Sequence, residues 1–266
     1  MTRRTDRITL PPVRPSAGVA RNYQARIDRL IRDMHADIRR VVLEDYDAPA
    51  FAKDASPVET IVEAMRALRR KWLGQFETLA PALSKYFATA MAERSDTQLH
   101  NLLRRGGISV KFQTTQSQRN ILDATIHENV SLIRSIPEQY LTGVEGLVMR
   151  SVMAGRDLAS LTKGLQEQYG VTRRRAAFIA RDQNNKATGA LQANRQAELG
   201  LRAEWLHSTG DKHPRPTHKA NSGKDYDPAK GWFDPAEGRH ILPGELINCT
   251  CTSKTIVFPD RFKAAA

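Results

Sequence analysis

Apolar side chains recur every three or four residues through most of the chain, which is the spacing of amphipathic α-helices. The first such helix is predicted from about residue 21, and its apolar face consists of Tyr23, Ile27, Leu30, Ile31, Met34, Ile38, Val41 and Val42. A second helix is predicted to begin at a capping box, with Ser56 as cap, Pro57 first in the helix and Glu59 third. We expect an interruption or kink at Pro81 and a further helix, after Ser95, that stops at Gly106.

The middle of the chain alternates between helical spacing and residues that break helices. Residues 108–112 alternate with period two and predict one short strand. A helix should then open at Thr115 or Ser117 and end before Pro137, and another should reach Met153. Residues 157–169 predict one more helix, and Thr172 is expected to cap a last long helix that ends near residue 200.

After residue 200 the pattern changes to short extended segments separated by loops rich in Gly, Asp and Pro. The sequence therefore predicts a mainly α protein, in which long helices are followed by a small C-terminal α+β domain with short antiparallel strands. The predicted divisions are an extended basic and proline-rich arm (1–18), an N-terminal helical region (19–106), a helical core or stalk (107–200), the α+β domain (201–260) and a tail (261–266). The arm either docks along a partner or is a frayed terminus.

Charge is concentrated near the N-terminus. The chain carries a net charge of +12, and residues 1–40 contain ten arginines against four aspartates, a net +6. Such a surface suits phosphate or an acidic protein surface, although a solvated basic face without a partner is an open alternative. Three further arginines are predicted in the first turn of the last long helix, where an acidic side chain or phosphate would compensate them. The candidates for binding a partner or phosphate are Arg3, Arg4, Arg7, Arg14, Arg26, Arg29, Arg32, Arg39, Arg40, Arg173, Arg174 and Arg175.

Reactive side chains are concentrated after residue 200, where both cysteines and four of the seven histidines lie. Two cysteines do not make a disulfide framework, so reduced thiols at the start of the final strand are expected. His213, His218, Cys249 and Cys251 form a donor set that tetrahedral zinc accepts, although their spacings depart from the common ones. The alternative is that the cysteines are small buried apolar residues and that the histidine hydrogen-bonds within its loop.

Two further interpretations concern the same loop. Asp211, Arg215 and His218 are spaced to form a polar network that would fix a loop lacking backbone ladders. A Cys–His nucleophile is conceivable from the residue types, but the sequence shows neither an oxyanion donor nor an acid partner for it.

This terminal region resembles the phage Mu F-like head morphogenesis family, which comprises minor capsid proteins of tailed phages. The resemblance covers roughly residues 115–258, and two departures from the family pattern are Asp182-Gln183, where Thr-Glu is usual, and Thr250, where Arg is usual between the cysteines. The matching residues are Trp205, Asp211, Arg215, His218, Gly223, Phe233, Pro243, Gly244, Glu245, Asn248, Cys249 and Cys251.

The resemblance implies a structural, non-enzymatic minor head protein, bound at or near the portal and acting in head morphogenesis and in DNA packaging or ejection. Its expected partners are the portal protein or the major capsid protein, with non-specific contact to packaged DNA, in several copies per virion. We expect it in the host cytoplasm during assembly and then in the virion, and no apolar run suggests a membrane. The alternative is a metal-dependent enzyme acting on nucleic acid, although no carboxylate cluster of the kind that Mg²⁺ needs is evident.

Overall fold

The computed structural model describes residues 7–47, 57–154, 157–208 and 213–258. Its helices are α1 (Ala17–Asp47), α2 (Pro57–Arg105), α3 (Gln116–Met153), α4 (Leu158–Glu198) and α5 (Pro216–Ala220). Its strands are β1 (Ile8–Thr9), β2 (Arg202–Leu206), β3 (Asp225–Tyr226), β4 (Trp232–Asp234), β5 (Arg239–Ile241) and β6 (Thr252–Val257). The predicted fold class, long helices followed by short antiparallel strands, is confirmed. Among the helices of these ranges, none combines the length and apolar character needed to cross a membrane.

Helix α2 is longer than the sequence pattern predicts. It continues through Pro81 and past Ser95 to Arg105, so the predicted interruption and restart are wrong. A proline inside a helix removes one backbone hydrogen bond, but the exposed ring of Pro81 lies beside the buried side chains of Ala80 and Ser84. Packing on that buried side holds the helix together across the missing bond. The predicted stop at Gly106 is confirmed, and Ser56, the predicted cap, lies outside the described residues.

Helices α3 and α4 also pass through predicted breaks. Thr115 caps α3, since its Oγ1 accepts the N–H of Gln118 at 3.1 Å, but the helix continues through Pro137 between the buried residues Ile136 and Tyr140. Thr172 does not cap a helix, because α4 is continuous there and its hydroxyl donates to the carbonyl of Gln168 at 2.9 Å. Residues 108–112 form no strand.

The continuity of α4 changes the reading of the three consecutive arginines. Arg173, Arg174 and Arg175 lie inside the helix rather than in its first turn, so no helix N-terminus opposes their charge. Arg173 forms an ion pair with Asp28 at 3.4 Å, and Arg175 donates to Ser135 Oγ at 2.9 Å. Of the two predicted neighbours for these arginines, an acidic side chain of the same chain or phosphate, the acidic side chain is therefore present for Arg173.

The chain divides into two units, and the division falls inside each of the four long helices. The helical unit comprises the described residues of 21–85 and 127–180. Its core contains six of the eight residues predicted for the apolar face of α1, together with apolar residues from the other helices, whereas Leu30 and Val41 are half-buried. Asp37 accepts hydrogen bonds from Lys71 Nζ (2.7 Å) and Trp72 Nε1 (2.9 Å), and these contacts hold the pKa of its carboxyl below the ordinary value although burial acts to raise it.

The sheet unit comprises the described residues of 1–20, 86–126 and 181–266. Its four-stranded sheet has the order β1-β6-β2-β3 with every pair antiparallel, and β4 and β5 form a separate hairpin. Strand β1 comes from the predicted arm: Ile8 pairs with Val257, and the N–H of Leu10 donates to the carbonyl of Thr255 at 2.8 Å. The arm from residue 7 onward is therefore neither frayed nor free to dock elsewhere.

A small apolar core lies beneath this sheet edge. Leu10 and Val13 from the N-terminal segment are buried in it, as is Val257 from β6. The other buried members are Leu99, Leu103, Ile108 and Leu201. Part of the predicted extended arm thus belongs to the hydrophobic core. Leu10 and Val13 are the only large aliphatic residues between Ile8 and the start of α1, and both side chains are buried.

We predict that Pro81→Ala raises the free energy of unfolding by about 1–3 kcal/mol. Alanine restores the missing helical hydrogen bond at an exposed position and removes no packing, and this gain exceeds the loss of proline's restraint on the unfolded chain. Urea unfolding followed by circular dichroism measures the change. Pro137→Ala is the matched control, since that ring is buried and its removal costs contacts that offset the gain. A lower stability of Pro81→Ala would contradict the account given for α2.

Candidate functional site

The site is built around Trp205, which is fully buried on β2. Its ring contacts three aromatic side chains at edge or tilted angles: His218 at 5.1 Å, Trp232 at 5.3 Å and Tyr226 at 6.1 Å between centroids. The other buried residues of this core are Ala203, Ile241, Leu246, Cys249 and Cys251. Strand pairing of β2 with β6 brings the cysteine segment, which directly precedes β6, alongside the tryptophan.

His218 lies on α5 and is 2% exposed. Pro216 occupies the first position of this short helix, where its lack of an N–H costs nothing, and the helix presents His218 toward the core. The Nδ1 atom of His218 lies 3.5 Å from Cys249 Sγ and 3.6 Å from Cys251 Sγ. These three atoms all lie within 4.8 Å of one another, although the histidine is more than 30 residues from either cysteine in the sequence.

The opposite edge of the histidine ring faces a carboxylate. Nε2 of His218 lies 3.2 Å from Oδ2 of Asp234, which is fully buried. Asp234 also accepts hydrogen bonds from Thr217 Oγ1 (3.3 Å) and from the N–H of Ala236 (2.9 Å). A buried carboxylate is stable only with such partners, and the two ring nitrogens of His218 thus have different neighbours: Nε2 faces the carboxylate and Nδ1 faces the two sulfurs.

The two thiols change each other's pKa. Both cysteines are free and buried, as expected for the segment that begins the final strand. A hydrogen bond from the Cys251 thiol lowers the pKa of Cys249 to about 4, with His218 contributing in the same direction against the effect of burial. The pKa of Cys251 is raised, first because it is the donor in that bond and then because it is buried. The arrangement thus favours one thiolate held by a neighbouring thiol and an imidazole.

The loop that carries the cysteines is fastened to α4 by polar side chains. Asp182 accepts the backbone N–H of Asn248, and Arg181 donates to the side-chain carbonyl of Asn248 at 2.9 Å. One turn along the helix, Asn185 donates to the backbone carbonyl of Cys249 at 3.0 Å. Asn248 itself has a positive φ of 61°. These bonds satisfy backbone groups of a segment that has no strand partner at this point.

Close backbone approach makes this docking possible. A Cβ at Gly189 of α4 would lie 2.0 Å from the carbonyl oxygen of Pro243. Because this oxygen belongs to the backbone, rotation of a side chain could not remove the clash. Gly244, with φ +84°, approaches the same helix, since a Cβ there would lie 2.7 Å from the carbonyl oxygen of Asn185. Pro243 and Gly244, which form a turn, therefore also make the contact surface between loop and helix.

The other motif residues have local roles. Arg215 donates to the carbonyl of Ile247 at 3.1 Å. Asp211 lies outside the described residues, so the Asp–Arg–His network stays a prediction. The N–H of Gly223 donates to the carbonyl of Trp205 at 2.8 Å, and Glu245 accepts the N–H of Leu242 at 2.7 Å.

Phe233 is half exposed, and its ring contacts His240 on the neighbouring strand at 5.4 Å. The preceding residue, Trp232, is the one that packs against the Trp205 core. Side chains alternate between the two faces of a strand, so only one of these two aromatic residues can face inward.

The predicted metal set is only partly brought together. His218, Cys249 and Cys251 form one group, whereas His213 is exposed and does not belong to it. Asp234, Asn185 and Gly189 were not identified from the sequence as site residues. A glycine inside an otherwise helical pattern was the available sign of close approach at Gly189, whereas nothing in the sequence distinguishes Asp234 from other loop acids.

The predicted basic candidates differ in their surroundings. Arg7 is held by Asp225 at 2.8 Å and by Glu204 at 3.4 Å, so it stabilises the sheet unit. The backbone of Arg14 is bonded to Gln98, and Arg40 pairs with Asp37 at 3.0 Å. Arg3 and Arg4 lie outside the described residues. Five predicted candidates are exposed on α1: Arg26, Arg29, Arg32, Arg39 and Arg40. Arg21, which was not predicted as a candidate, is also exposed on this helix.

Comparison with known proteins confirms the resemblance stated from the sequence. Residues 142–254 match the sequence model of the family described as Phage Mu protein F like protein. A Haemophilus influenzae protein described only as uncharacterized is 28% identical over 251 residues. That alignment covers 90% of this chain and 54% of the relative, so the chain spans about half the length of the curated relative that it matches. No solved structure matches the chain.

We predict that Gly189→Ala lowers the free energy of unfolding of the chain by about 1–3 kcal/mol or more, because its methyl group would collide with the backbone of Pro243. The matched control is Gly74→Ala, a helical glycine of α2 with open space around it, where alanine should stabilise by about 0.5–1 kcal/mol. Chemical denaturation of both variants measures the difference. Equal effects of the two substitutions would show that the loop does not pack on α4 as described.

Proposed function

We propose that this chain, whose residues 142–254 are Mu F-like, is a structural minor head protein of a tailed phage that is bound at or near the portal. The family match indicates a phage head protein, and the position at the portal and the part played in assembly, packaging or ejection are our proposal. The observation that carries it is that this match coincides with the docked loop and the Trp205 core. The residues that match the family therefore include those that form the docked loop and the Trp205 core.

The arrangement of the reactive residues also favours a structural role over an enzyme that cleaves nucleic acid. Among the described residues, the one group with metal-ligand proximity is His218, Cys249 and Cys251, and all three are buried. A phosphodiester backbone needs access to the reacting atoms and commonly Mg²⁺ held by carboxylates. The group offers soft donors beneath the surface, which suits the stabilisation of a fold.

The basic face of α1 is the surface that we propose for contact with the portal or capsid protein or with packaged DNA. Arg29, Arg32 and Arg39 are exposed there. The N-terminal segment is less suitable, because Leu10 and Val13 are buried and Arg7 is bonded to carboxylates within its own unit. Attachment is therefore tested better by neutralising arginines on α1 than by deleting the N-terminus.

We predict that purified phage heads or their precursors contain this chain in fewer copies than the major capsid protein. Quantitative mass spectrometry of particles measures the ratio. A chain in which Arg29, Arg32 and Arg39 are replaced by Gln should be incorporated less. The control replaces the exposed Lys111, Lys219 and Lys230 by Gln, which changes the net charge equally and should not affect incorporation. Absence of the wild-type chain from both heads and precursors would refute the proposed function.

If the α1 face contacts DNA, binding should be independent of sequence and strongly dependent on salt. Arginine–phosphate contacts carry no base information, and each neutralised phosphate contributes about 0.9 to the slope of log affinity against log salt. The triple arginine variant should lower that slope by about 2–3, and the triple lysine control should leave it unchanged. Fluorescence anisotropy with an arbitrary duplex measures both. An affinity without salt dependence would indicate a protein partner for this face.

A further inference from the structure

We propose that Cys249, Cys251 and His218 bind a tetrahedral zinc ion, with Asp234 as the carboxylate partner of the histidine. The ligands are the two Sγ atoms and Nδ1. Zinc in such a site would stabilise the terminal domain rather than react with a substrate. The inference concerns the chemistry of the sheet unit and does not depend on the proposed role in the virion.

The distances between the donors match those around zinc. Zinc bonds of about 2.3 Å to sulfur and about 2.0–2.1 Å to nitrogen, at tetrahedral angles, separate the two kinds of donor by roughly 3.5–3.6 Å. The separations from His218 Nδ1 to the two sulfurs are 3.5 and 3.6 Å. The two nitrogen–sulfur separations therefore match those around zinc, and the two sulfurs lie within 4.8 Å of each other.

The surroundings of the histidine have the form expected around a metal ligand. In zinc sites, the imidazole nitrogen that does not bind the metal commonly faces a carboxylate, which sets the tautomer and raises the basicity of the ligand. Asp234 stands 3.2 Å from Nε2 and is itself held by Thr217 and Ala236. Packing alone gives no reason to bury a carboxylate completely in this position, whereas a cation beyond the imidazole compensates its charge.

The charges and protons are consistent with a bound divalent ion. Both cysteines would bind as thiolates, with their protons released to solvent, so two thiolates and the Asp234 carboxylate would be set against one Zn²⁺ and the neutral imidazole. Because the described residues bring only three donors together, a water molecule would complete the tetrahedral coordination. His213, which the sequence made a candidate ligand, is not among them.

The local architecture also benefits from a metal. The elements around the site are short: α5 has five residues and β4 and β5 have three each. Such a loop-rich region buries limited apolar surface, and structural zinc commonly supplies the missing free energy in small domains. One ion would join α5 to the segment before β6 through His218 and the two cysteines.

The test is elemental analysis of the full chain purified without added metal and without histidine tag, followed by spectroscopy. We expect one zinc per chain. The Asp234→Asn chain should still bind zinc, but its affinity for zinc, measured in competition with a chromophoric chelator, should fall about 10–100-fold. His240→Ala is the matched control, because that histidine is exposed and contacts Phe233 instead, and its zinc content and affinity should be unchanged.

Cobalt(II) keeps the test decisive if replacement of a ligand prevents folding. Added to metal-free wild-type chain, Co²⁺ should produce thiolate-to-metal charge-transfer absorption and the visible bands of tetrahedral coordination. Cys249→Ser and Cys251→Ser should each weaken the charge-transfer band. A wild-type chain that contains no zinc, shows no cobalt bands and unfolds identically with and without chelator would overturn the proposal and leave a purely packed Cys–His core.

Discussion

The sheet unit depends on a polar helix face that is buried. In the last five turns of α4, the side chains that face the loop and the sheet are amides, hydroxyls and charged groups. Gln192 and Gln196 donate to Thr255 Oγ1 on β6 at 3.3 and 2.9 Å, and Arg195 is bonded to Asp96 at 2.7 Å and to the carbonyl of Gln113 at 2.8 Å. Buried polar groups are stable only when paired, so these residues specify one position of the helix against the sheet.

This constraint explains how the soft-donor cluster is assembled. The two cysteines lie between the loop that α4 holds and the strand that α4 contacts, so both their backbone ends are fixed by the same helix. His218 reaches them from a different direction, on a helix of one turn positioned by Trp205 and Asp234. Neither half of the cluster is close to the other in the sequence, and hydrogen bonds to α4 on one side and aromatic packing on the other bring them together.

The sequence predicts well those features that depend on a single periodicity. The buried face of α1, the helix stop at Gly106 and the placement of the cysteines at the start of the final strand follow from spacing, turn chemistry and resemblance. The continuity of the helices at Pro81 and Pro137 could not be predicted from the sequence. It depends on tertiary packing that compensates the backbone hydrogen bond that each proline removes. The buried face of α4 was missed for a related reason: polar residues are normally assigned to solvent, although four consecutive polar residues, 182–185, extend around most of a helical turn.

The strand at the start of the chain also determines when the sheet unit can form. Ile8 pairs with Val257, which follows it by 249 residues in the sequence. Loop closure over nearly the full length of the chain is entropically expensive and slow, and such pairings form late in folding. Until β6 has been synthesised, β1 therefore has no partner, and the core around Leu10 and Val13 lacks Val257. A nascent chain that still lacks β6 is consequently the state in which this unit is most exposed to aggregation.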